Sequence, residues 1–243
     1  DLQKKFTGWP GQSLMRLRYE QAVAREKPSP QAAIAALGNR KPASDEATLL
    51  LARSYMAVGR KDDAANLIRP FWRNLNFSEG IESAIVKDFA SLLRTSDHKW
   101  RMDRLIYAER EAEALRASKF LSKEQQALAK GVLAVVREKP KAAATLDTVP
   151  ASVRKDHLYT YARIQLLRRA GKVSEAGRLL ASASRDRTVI VSPDAWWVER
   201  RMISRLLVEA GNPKLAYTLA SGHSNESATL QAEAEFHAGW YAL

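Results

Sequence analysis

The sequence predicts an all-α fold, a curved superhelical solenoid of antiparallel helix hairpins. Three observations lead there. Apolar residues return at three- and four-residue steps along nearly every segment. Helix start and stop signals recur at short intervals, giving about a dozen helices, most of roughly 9 to 20 residues, joined by turns of a few residues. One glycine turn also occurs in three copies.

In chain order, the N-terminal lead places Trp9 beside Pro10-Gly11, outside any helical pattern. Ser29-Pro30 opens a helix in the cap-then-proline order, and Gly38 is expected to close it with positive φ. Ser44 opens the next helix and Gly59 closes it. Pro70, in "RPFWRNLNFSEG", interrupts a pattern that is expected to kink or end there. Ser78 caps a helix with Ile81, Ile85, Phe89 and Leu92 on its inner face. In "YAEREAEALRA", Glu109, Glu111 and Glu113 alternate, so a helix scatters them around its circumference as a solvated acidic surface. Ser122-Lys-Glu-Gln125 has the form of a capping box. "RTVIV", at 187–191, is the longest strand-like alternation, and Ser192-Pro193-Asp194 starts the helix that carries Trp196 and Trp197.

Internal repetition argues for stacking. "REKP" recurs 112 residues apart, at 25 and 137, and Gly59 and Gly171 keep the same offset. That offset also pairs Ala64 with Ala176, Leu67 with Leu179 and Ile68 with Leu180. A third copy follows, since Gly211 precedes Ala216 by five residues, as Gly59 precedes Ala64 and Gly171 precedes Ala176. A left-handed glycine ends one helix and a small residue one turn into the next allows close approach, the logic of tetratricopeptide-like stacking. Single hairpins cannot bury their apolar stripe alone, so they pile up, and residues 1–243 form a single elongated domain.

With 243 residues, 46% of them hydrophobic, the chain can bury a sizeable core. No run approaches the roughly 18 consecutive apolar residues of a membrane span. The absence of Cys removes disulfides and thiolate chemistry and leaves both reducing and oxidising compartments open. Lys and Arg number 39 against 27 Asp and Glu, a net charge of +12 that favours polyanionic partners, although the basic residues are dispersed through the helices. Nucleic-acid binding rests on that charge alone and is not expected, since no RNA-binding module signature is present.

His98, His157, His223 and His237 show no metal-ligand spacing, so no metal and no cofactor is expected. Neither a Gly-x-Ser-x-Gly elbow nor a phosphate loop occurs, and nothing nominates a catalytic residue. Adjacent helix positions point about 100° apart, so Trp196 and Trp197 are not expected to share one core seam. One ring packs between hairpins. The other either packs between helices as well, which its place in a repeat unit favours, or, with Arg200 and Arg201, is the candidate ligand-binding group: Trp197 as a platform for a sugar ring or stacked under a guanidinium.

The wording of "GVLAVVREKPKAAATLDTVPASVRKDHLYTYARIQLLRRAGKVSEAGRLL", "PDAWWVERRMISRLLVEAGNPKLAYTLAS" and "AEFHAGWYAL" resembles the helical superhelix domain of proteobacterial soluble lytic transglycosylases. The resemblance runs over most of the chain and is clearest from about residue 130 onward; residues 1–80 carry less of it. It implies a horseshoe or partial ring of helices in a periplasmic cell-wall enzyme. A lysozyme-like domain is expected after residue 243, cleaving peptidoglycan glycan strands to a 1,6-anhydro end with one glutamate as general acid and base. The family's catalytic Glu-Ser is followed by a Gly-Leu-Met-Gln-like segment, which neither Glu82-Ser83 nor Glu226-Ser227 has. The chain is therefore expected to be the scaffold portion, inactive alone, partnered by glycan strands, by its own catalytic domain and by other cell-wall proteins. The alternative is a stand-alone tetratricopeptide-like adaptor that holds a partner protein or peptide.

Overall fold

The computed structural model describes residues 11–76 and 78–243, so Trp9 and its lead lie outside the described residues. Among the described residues the protein is all-helical, 75% helix in 15 α-helices, with no strand. Two compact units divide within one helix, the first ending at His98 and the second starting at Lys99. Among the described residues no helix is long and apolar enough to cross a membrane.

The first unit contains α1 (Gln12–Glu26), α2 (Pro30–Leu37), α3 (Asp45–Ala57), α4 (Lys61–Trp72), α5 (Glu79–Phe89), a 3-10 turn (Ala90–Leu92) and the start of α6 (Thr95–Tyr107). Helix α3 is the hub, packing against α1, α2, α4 and α5. Its core gathers Leu49, Ala52, Ile68, Trp72, Ile85 and Phe89. Ser29, Ser44 and Ser78 each accept a backbone N–H of the following turn, from Ala32, Ala47 and Ile81. The buried Glu20 carboxylate of α1 accepts from the Ala43 and Ser44 N–H groups at 2.5 and 3.0 Å, tying α1 to the start of α3. Two expectations change. Gly38 has φ −75, and space rather than left-handed backbone explains it, because a β-carbon there would meet the Ile34 carbonyl at 2.6 Å and the Tyr55 hydroxyl at 3.1 Å. Helix α4 runs through Pro70 to the buried pair Phe71 and Trp72, whose core packing holds the last turn in place.

The second unit continues α6 and adds α7 (Glu111–Ser118), α8 (Lys123–Val136), α9 (Ala142–Asp147), α10 (His157–Arg169), α11 (Val173–Ser182), α12 (Arg187–Ile190), α13 (Pro193–Glu209), α14 (Pro213–Ser221) and α15 (Ala228–Ala242). Helices adjacent in sequence pack on one another, α7 on α8, α8 on α9, α10 on α11, α13 on α14 and α14 on α15. Helix α8 also reaches α10, and α11 reaches α13. Where α8 crosses α9 there is no room for a side chain, since a β-carbon on Gly131 would lie 2.6 Å from Val149 Cγ2. The strand-like "RTVIV" forms α12, a single turn capped by Asp186, which accepts the Thr188 N–H at 2.8 Å. The capping box at α8 is half made: Ser122 accepts the Gln125 N–H, whereas Gln125 Oε1 is buried without a hydrogen-bond partner among the described residues. Ser192 precedes α13 without a side-chain cap, and the Asp194 carboxylate instead accepts the Glu226 N–H at 2.9 Å.

The glycine turn is a Schellman motif. Gly59, Gly171 and Gly211 have φ of 79, 72 and 75, and Ala64, Ala176 and Ala216 are fully buried. In each turn the left-handed residue's N–H donates to the carbonyl three residues back, and the next N–H to the carbonyl five back, as from Gly171 to Arg168 and Lys172 to Leu167. Two further copies lack glycine: Glu109 (φ 57) and Glu138 (φ 51) close α6 and α8 with the same bond pair. The Glu109 copy even keeps the buried small residue five positions on, Ala114. The acidic stretch is thus no single helix, for Glu109 is the turn and α7 starts at Glu111.

Candidate functional site

Both tryptophans at the start of α13 are buried, so neither ring offers a face to a ligand. The 100° between them is accommodated because α13 is covered on two sides. Trp196 turns toward Tyr107 and Tyr161: its indole N–H donates to the Tyr107 hydroxyl at 2.9 Å, and its ring lies 5.2 Å from that of Tyr161. Trp197 turns toward α15, where its indole N–H donates to Glu233 at 2.8 Å. Arg201 donates to the same carboxylate at 2.9 Å, and together these donors hold the Glu233 carboxyl below the usual range. His237 lies against the Trp197 ring, its Nδ1–H donating to the Glu233 carbonyl and its Nε2 accepting from Arg205 at 3.2 Å. Arg200 points elsewhere, to the Leu219 carbonyl at 3.4 Å. Trp197 and Arg201 therefore share a partner, and Arg200 does not join them.

A polar cleft of about 630 Å³ lies on the other side of α13, walled by α8, α10 and α13. Its floor is Glu199, 1% exposed. Gln165 Nε2 donates to Glu199 at 3.0 Å, and Arg168 grips it through Nε at 2.8 Å and Nη2 at 3.3 Å. This fork makes Glu199 a shared acceptor whose charge is balanced by Arg168. The rim repeats that pairing, Arg169 with Glu138 at 3.2 Å and Arg137 with Glu109 at 3.5 Å. Burial pushes the Tyr107 and Tyr161 hydroxyls upward from the usual phenol value, so both remain protonated. Three ion pairs and two phenols suit hydrogen bonding to an uncharged polar chain better than proton transfer. No group of three or more His, Asp or Glu side chains placed to hold a metal ion occurs among the described residues.

Glu199, Gln165 and Arg168 were not singled out by sequence. One signal existed: Glu199 sits with Trp196, Ile203 and Leu207 on the buried stripe of α13, where an acidic residue needs a partner. Its partner Arg168 is 31 residues away, beyond any local pattern. Compared with protein-family models, curated proteins and solved structures, the chain matches none of them.

Proposed function

We propose that this chain is the non-catalytic superhelical scaffold of a soluble lytic transglycosylase, its helix pairs stacking in tetratricopeptide-like fashion to frame a peptidoglycan glycan strand in the periplasm. The observation that carries this reading is the cleft above Glu199, in which each of Arg137, Arg168 and Arg169 is paired with a carboxylate. Such a surface offers donors and acceptors without net charge, the complement of a hydroxyl- and acetamido-bearing glycan. Supporting it, the turns at Glu138, Gly171 and Gly211 fall within the stretch whose wording resembles that family, and the net charge of +12 suits the carboxylates of peptide stems.

The test is co-sedimentation of the purified chain with insoluble peptidoglycan over a series of salt concentrations, with turnover of the same material measured in parallel. Retention at low salt that falls as salt rises, without release of anhydro-muropeptides, is expected, because exposed charges are screened over about 8 Å at physiological ionic strength. Failure to sediment at any salt would remove the glycan reading and leave the adaptor; release of anhydro ends would remove the non-catalytic one.

A further inference from the structure

Among the described residues, Arg200 is a buried cation without an anion. Its side chain is 3% exposed, and among the described residues its one hydrogen bond is the 3.4 Å contact to the Leu219 carbonyl in the last turn of α14. No carboxylate among the described residues pairs with it. A second cation stands close instead: a β-carbon on Gly222 would lie 3.4 Å from Arg200 Nη1 and 3.5 Å from Arg185 Nη1, so both guanidiniums border the space beside Gly222. Burial, reinforced by the Arg185 charge, lowers the Arg200 guanidinium to about 10.

Guanidinium groups leave water when a counter-charge receives them. The partial charge at the end of α14, about −0.5 of an elementary charge, offsets at most half of one of these two cations. Arg185 is exposed, on the segment between α11 and α12, and makes no ion pair among the described residues. One buried fork and one solvent-facing fork beside the same glycine are a donor set suited to a planar or tetrahedral oxyanion.

We propose that Arg200 and Arg185 form an oxyanion site beside the C-terminal turn of α14, taking a carboxylate or a phosphate group. The site is separate from the cleft above Glu199 and stands whether or not the glycan reading holds.

The test titrates the intact chain with inorganic phosphate and, separately, with acetate, at an ionic strength held constant with chloride. Guanidinium Nε–H resonances are followed by NMR, and affinities by calorimetry. Saturable binding of one equivalent that shifts the Arg200 signal is expected, weakened at least tenfold in Arg185→Ala, where an exposed residue is replaced and the fold is retained. Arg200→Lys keeps the charge, loses the fork and is expected to weaken binding as well; should it unfold, Arg185→Ala alone decides. Tighter acetate assigns the site to carboxylates, and tighter phosphate to phosphoryl groups. No saturable binding of either anion, or equal affinity in Arg185→Ala, overturns the proposal.

Discussion

Trp197 and Arg201 meet on a single carboxylate, Glu233, at 2.8 and 2.9 Å, so an aromatic ring one turn from a guanidinium is fixed through a shared acceptor rather than by stacking. Removing that acceptor strands a buried indole N–H. Glu233→Ala should lose about 1–3 kcal/mol in urea unfolding, and Glu233→Gln, which keeps an acceptor, clearly less.

The same carboxylate gives a pH dependence. The Trp197 N–H, and then Arg201, lower its folded-state value. Its contribution is therefore complete above the unfolded value of about 4.3 and is lost as pH falls through the lower folded value. Wild type should lose stability relative to Glu233→Gln on acidification below about pH 4.3; parallel stability curves for the two proteins would contradict the assignment.

Glu109 and Gly171 occupy equivalent positions with φ 57 and 72. A side chain in the left-handed region costs about 1 kcal/mol. Glu109→Gly should therefore stabilise by roughly 0.5–1 kcal/mol, the exposed 3.5 Å pair with Arg137 being worth little. Gly171→Ala should destabilise by a similar amount. Thermal melts of both variants test the equivalence.

Glu199 and Arg168 are mutually dependent. Glu199→Ala leaves Gln165 and Arg168 facing an emptied floor and should cost about 3–5 kcal/mol. Adding Arg168→Leu should recover part of that loss, and a double-mutant cycle by denaturant unfolding reads the coupling. Strict additivity would mean that the fork contributes nothing.

Gly131 fits α8 against Val149 with no space for a methyl group. Gly131→Ala should cost about 1–3 kcal/mol through overpacking, despite the better helix propensity of Ala. Val149→Ala introduced alongside it should relieve the clash, which chemical denaturation of the two variants would show.

The helical character was legible because it is local: Ser29, Ser44, Ser78 and Ser122 cap the helices they were read to cap, and Gly59, Gly171 and Gly211 turn where expected. Two copies of the turn were hidden, since Glu109 and Glu138 adopt a conformation that sequence assigns to glycine. Helix α12 looks strand-like in sequence because four residues are too few for a helical period to show. The tryptophan pair was legible only in part. Residue spacing gives the angle between two rings but not the number of neighbours around the helix, and α13 is covered on both sides. The cleft was invisible because Glu199 meets its partners across 31 and 34 residues.

The bond from Trp196 to Tyr107 spans 89 residues, whereas the turns between them close over five. Short closures form early and at little entropic expense; a link of that reach has to wait until the intervening helices are in order. It therefore acts as a latch fastened late in folding. Loosening it, as in Trp196→Phe, should leave the refolding rate almost unchanged and hasten unfolding in stopped-flow measurements, so its expected contribution is to how long the native state lasts.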